Sequence, residues 1–68
     1  MKAFISITPK SHKNGQIYIN SNVKTLQDCI NWFDINKEYF MNVAKRRSIE
    51  RVDMYVTDNF DTIYSRTI

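Results

Sequence analysis

Ser11 beside His12 is the one adjacent pair of nucleophile and base in this 68-residue chain, and Cys29 is its one thiol. Nucleophilic catalysis needs a third group that orients the base and an oxyanion hole that meets the developing charge. Ser11 and His12 lie between Lys10 and Lys13 in a short polar stretch that supplies neither, so they read as loop residues. A zinc site draws about four ligands of Cys, His or carboxylate type, which a single Cys and a single His do not make. A phosphate-cradling loop needs several glycines to bring backbone close to the anion; Gly15 is alone. Asp53, Asp58 and Asp61 cluster late in the chain, where Asp58 and Asp61 read as turn formers and not as an acid/base pair or a calcium loop. The expectation is a protein without catalytic residues, metal or cofactor.

Cations and aromatic rings remain. The net charge is +3, with hydrophobic residues at 43% and charged residues at 25%, inside the globular range. Residues 1–24 hold Lys2, Lys10, Lys13 and Lys24 and no acid, and Lys45, Arg46, Arg47 and Arg51 surround Glu50 alone. Lys45 to Arg47 complement the negative end of a helix dipole. Three cations exceed what a helix end requires, and with Arg51 they form a candidate docking patch for phosphates or an acidic protein surface. A lone cysteine cannot close an intramolecular disulfide, which points to a reducing, cytoplasmic setting inside a host cell. There is no hydrophobic run of spanning length, so no membrane partner is expected.

The elements that must position these groups follow from periodicity. Lys2 to Thr8 alternates, as does Gln16 to Asn20, and Pro9 to Gly15 between them reads as a seven-residue hairpin loop. Thr25 followed by Asp28 is a carboxylate form of the capping box and starts a helix at Leu26. Leu26, Cys29, Ile30, Phe33 and Phe40 form its buried stripe, with Asp34 to Lys37 as the place where it could kink. Arg51 to Thr57 alternates again, and Asp58 and Asn59 turn the chain into a last strand. A two-residue turn there sets Val56 opposite Asp61 and Met54 opposite Ile63. The expected fold is one domain over residues 1–68, of α+β class, with a four-stranded antiparallel sheet in ββαββ order and one helix packed on one face.

One helix leaves the second face of the sheet uncovered. Alternation assigns Ala3, Ile5, Ile7, Ile17, Ile19, Val52, Met54, Val56 and Ile63 to the helix side, and Phe4, Tyr18, Tyr55 and Tyr64 with Lys2, Arg51 and Arg66 to the open side. Rings interleaved with cations suit a protein interface, where Tyr and Arg carry much of the binding energy. They also suit single-stranded nucleic acid, whose bases stack on rings while cations meet phosphates, and they match plain cross-strand pairing. The candidate partner-binding residues are Tyr18, Lys45, Arg46, Arg47, Arg51, Tyr55, Tyr64 and Arg66.

In layout the chain resembles small phage-encoded inhibitors of host defence, in particular anti-CRISPR proteins of similar length. The likeness runs from Lys2-Ala3-Phe4-Ile5-Ser6-Ile7 through Thr25-Leu26-Gln27-Asp28 to Val52-Asp53-Met54-Tyr55-Val56, and no functional residue carries over with it. What the resemblance implies is a stoichiometric blocker that occludes the nucleic-acid-binding surface of a host protein or ribonucleoprotein complex. A single-stranded nucleic acid binder and a small homodimeric structural or regulatory protein are the two other expectations.

Overall fold

A computed structural model describes the backbone of residues 1–46 and 48–68, and the side chains of all of these but 44–46. The elements run β1 (Lys2–Pro9), β2 (Gln16–Asn20), α1 (Leu26–Arg46), β3 (Ile49–Asp58) and β4 (Asp61–Thr67). The helix starts where the capping residues place it. The Asp28 amide donates to Thr25 Oγ1 at 3.1 Å, and Asp28 Oδ2 accepts from the Thr25 amide at 3.2 Å and the Lys24 amide at 3.3 Å. Three amides at the helix entrance are thereby satisfied, and an acid sits at the positive end of the dipole. The helix passes through Asp34 to Lys37 without a break. There Asn36 donates its side-chain amide to the Trp32 carbonyl at 2.7 Å, one turn back.

The strands form one antiparallel sheet in the order β2-β1-β3-β4, so β1 and β3 are central and β2 and β4 are edges. A helix about 10–12 Å across spans roughly two strands set about 4.8 Å apart. The helix therefore covers the central pair. Ala3, Ile5 and Ile7 of β1 and Val52, Met54 and Val56 of β3 meet Cys29, Phe33 and Phe40 of α1, with Val23 closing one end. All six central-strand residues assigned to the core by alternation are buried.

Both edge strands differ from the register read in the sequence by an odd number of residues, β2 by one and β4 by three. Pro9 joins β1 through its pairing with Ile49 of β3, while on the β2 side Gln16 lies opposite Ile7 and not opposite Thr8 as a Pro9 to Gly15 loop would set it, so that Ile5 faces Tyr18 and Phe4 faces Ile19. In the second hairpin the turn residues are Asn59 and Phe60, with Asp58 opposite Asp61. A bulge then leaves Ile63 over, so that Val56 faces Tyr64 and Met54 faces Arg66, not Asp61 and Ile63. A slip by an odd number of residues sends the side chains of a strand to the other face. Ile17 and Ile19 accordingly stand on the open face and Ile63 is exposed, while Tyr18, Tyr64 and Arg66 lie on the helix side.

Candidate functional site

The helix-free face is laid out in cross-strand rows. Ile19, Phe4, Tyr55 and Ser65 form one; Ile17, Ser6, Asp53 and Thr67 form the next. Lys2 and Thr57 flank the first row at one end, and Thr8 and Arg51 flank the second at the other. The Phe4 and Tyr55 rings are stacked, 4.8 Å between centroids and 8° from parallel. Such a pair contributes about 0.5–1.5 kcal/mol beyond its burial. Stacking also uses one face of each ring, which leaves fewer flat surfaces for a base than rings lying singly on the sheet. Arg51 donates from Nε to Asp53 Oδ2 at 2.7 Å, and Thr67 donates its hydroxyl to Asp53 Oδ1 at 2.6 Å. The first row is thus largely apolar, and the second sets exposed Ile17 beside a polar network of Arg51, Asp53 and Thr67.

Of the residues singled out in the sequence, Tyr55 and Arg51 share this open face. Tyr18, Tyr64 and Arg66 do not, and their assignment to it is corrected. Tyr18 meets the buried Phe40 edge-on at 5.2 Å. Tyr64 stacks on Phe33 at 6.2 Å. The Arg66 guanidinium lies 5.7 Å from the Phe33 ring centre and donates from Nη2 to Asp34 at 2.8 Å. The hydrogen bond to Asp34 outweighs the burial that opposes it and holds Arg66 still more firmly in its charged form. Tyr64 and Arg66 are packed residues that tie β4 to the flank of the helix. Lys45 and Arg46 close α1; their side chains, and Arg47 as a whole, lie outside the described residues.

The groups with catalytic potential are separated. His12 Nε2 pairs with Glu50 at 3.0 Å, whereas Ser11 Oγ accepts from the Lys13 amide at 3.3 Å. Among the described residues no three His, Cys, Asp or Glu side chains gather as metal ligands, and no helix is long and apolar enough to cross a membrane. Cys29 is fully buried, and burial, reinforced by Asp28, pushes its thiol above the ordinary value of 9.0. A raised value in the folded state makes the thiol contribution to stability complete below pH 9 and lost as pH rises beyond it. Cys29 is therefore expected to react with a thiol-specific disulfide reagent at pH 8 only as fast as the chain unfolds. Reaction at the rate of a free thiol would place it at the surface.

Three residues of the open side escaped the sequence reading: Ile17 and Ile19, 58% and 59% exposed, and Phe60, wholly exposed in the β3–β4 turn. Phe60 lines a shallow cleft with Met1, Lys2, Phe4, Thr57 and Asn59, which extends the apolar surface past the first row. Both turn residues have positive φ, 49° for Asn59 and 73° for Phe60. Asn tolerates that region; an aromatic residue there is strained, and strain of this kind concentrates where a side chain serves a purpose outside the fold.

Fold and face together define a small α+β protein with one helix-covered layer and one uncovered sheet face of mixed aliphatic and aromatic character. Comparison with family models, curated proteins and solved structures finds no match for this chain.

Proposed function

We infer that this is a non-catalytic binding protein that docks a protein partner through the helix-free face of its sheet. The observation that carries this reading is the composition of that face, where Ile17, Ile19 and wholly exposed Phe60 surround the Phe4–Tyr55 stack. Aliphatic side chains next to stacked rings suit the desolvated centre of a protein interface, with aromatic anchors inside and Lys2 and Arg51 at the margin. Net charge +3 steers the chain toward an acidic protein surface or a ribonucleoprotein. The likeness in layout to anti-CRISPR inhibitors supports occlusion of a host nucleic-acid-processing complex as its use, with single-stranded nucleic acid binding as the second reading.

Two measurements separate these. Titration with a thymidine oligonucleotide at low and moderate salt is expected to give no saturable binding; steep, salt-dependent binding lost on Tyr55→Ala would establish the nucleic-acid reading instead. Affinity capture from a host lysate is expected to retain a protein that the Phe4→Ala, Tyr55→Ala double variant loses and Ile35→Ala keeps, Ile35 being exposed on the helix. Thermal unfolding of the double variant should fall only by what the ring pair contributes. A captured protein indifferent to both rings would overturn the docking face.

A further inference from the structure

The two edges of the sheet are built differently. β4 carries the bulge and turns the charged Arg66 inward to Asp34. A bulge and an inward-pointing charge are two devices that stop an edge from recruiting another strand. β2 has neither. Its pairing with β1 is continuous from Asn20 opposite Ala3 to Gln16 opposite Ile7, and it contains no Pro, Gly or charged residue. Residues 14–23 are the longest stretch of the chain without a charged side chain. This edge is also apolar on both sides of the sheet. Ile17 and Ile19 stand on the open face, and on the other Tyr18, 42% exposed, lies beside Phe40, against which exposed Tyr39 packs at 5.1 Å.

We propose that β2 pairs with β2 of a second copy of this chain, antiparallel about a two-fold axis at Tyr18. An isologous interface requires that a surface complement itself. Gln16-Ile17-Tyr18-Ile19-Asn20 has the same chemistry in both directions: amide, isoleucine, tyrosine, isoleucine, amide. About Tyr18, Ile17 of one copy faces Ile19 of the other and Gln16 faces Asn20, so each side chain meets its own kind. Two chains of charge +3 repel overall, and the uncharged stretch is where copies can approach. A foreign strand would gain the same backbone hydrogen bonds but gives no reason for this symmetry. The pair forms an eight-stranded sheet whose open face carries four isoleucines between two Phe4–Tyr55 stacks.

The contact is small. Five residues at about 3.4 Å each make an edge roughly 17 Å long, and the molecule measures 23 and 17 Å along its shorter axes. Each partner then contributes on the order of 350 Å², under half of the ~800 Å² of a standard interface. Self-association is therefore weak and concentration-dependent, not obligate.

Sedimentation equilibrium from micromolar to near-millimolar concentration tests it. The average mass should climb from 8.1 kDa toward twice that value. Ile17→Lys and Ile19→Lys should each weaken the association roughly tenfold or more, with far-ultraviolet circular dichroism unchanged because both sites are exposed. Register is read by cross-linking. Under oxidation Tyr18→Cys should couple to itself, whereas Ile17→Cys and Ile19→Cys should couple efficiently only when mixed, since like positions lie about 7–8 Å apart diagonally. A monomeric mass throughout, dimers that survive both lysine variants, or Ile17→Cys coupling to itself as readily as to Ile19→Cys would each overturn the proposal. None of these results bears on oligonucleotide binding or on partner loss in the Phe4, Tyr55 variant, so the two ideas fail separately.

Discussion

Phe33→Ala is expected to remove a third or more of the folding stability of the protein at 25 °C. Phe33 is fully buried on the helix and touches Trp32 at 5.7 Å between ring centres, Tyr64 at 6.2 Å and the Arg66 guanidinium at 5.7 Å. Truncating a core phenylalanine costs about 3–5 kcal/mol. At about 0.05–0.15 kcal/mol per residue, 68 residues hold roughly 3–10 kcal/mol in all, so this one change removes a third of the total or more. The loss extends past the cavity. Arg66 Nε is buried without a hydrogen-bond partner, and the Phe33 ring face is what lies beside its guanidinium. Urea unfolding followed by circular dichroism reads the effect as a shift in midpoint. A shift worth less than about 1 kcal/mol would mean that the helix and β4 do not share a core through Phe33. The same measurement on Tyr64→Ala should also show a clear loss, whereas Tyr55→Ala, on the open face, should lose less, namely the partial burial of its ring and its stack on Phe4.

That contrast between Tyr64 and Tyr55 marks where the sequence was legible. The capping pair Thr25 and Asp28, the helix from Leu26 and the alternation of β1 and β3 are strong local signals, because each is set by hydrogen bonds or burial that the residues themselves decide. The central strands lie under the helix on one side only, so their alternation between apolar and polar is clean. Edge strands are another matter. The helix is too narrow to cover β2, whose residues from Gln16 to Ile19 are all exposed; burial then selects neither face, and alternation of Ile with Tyr carries no directional information. The register at the first hairpin decides the face, and pairing Gln16 with Ile7 in place of Thr8 was enough to invert it. In β4 the inversion comes from the bulge at Ile63. A hint was present: Tyr64, Arg66 and Ile68 share one parity and hold most of the bulk, and Ile68 indeed packs against the core. Of the candidate residues, Tyr55 and Arg51 stand on the open face as read, whereas Tyr18, Tyr64 and Arg66 lie on the helix side and Ile17, Ile19 and Phe60 are exposed in their place.

Phe60→Gly should make the protein more stable and a poorer binder at once. Two-residue hairpin turns with positive φ at both centres favour Asn followed by Gly, and here Asn59 is followed by Phe60 with φ of 73°. Holding an L-residue with a side chain in the left-handed region costs roughly 1–2 kcal/mol. The Phe60 ring is wholly exposed, so little contact inside the chain offsets that cost. Glycine removes the strain and should gain about 1 kcal/mol, a rise in Tm of roughly 4–8 °C for a domain of this size. If the ring is an anchor for a partner on the open face, the same change should weaken capture of that partner tenfold or more. Phe60→Ala separates the two effects, since it keeps a side chain in the strained turn but deletes the ring, and should lose binding without the gain in Tm. A fall in Tm for Phe60→Gly would show instead that the ring covers Met1 and Phe4 as part of the fold. Undiminished capture by both variants would confine the docking surface to the rows between β2 and β4. Stability gained where affinity is lost is the signature that distinguishes a residue kept for a partner from one kept for the core.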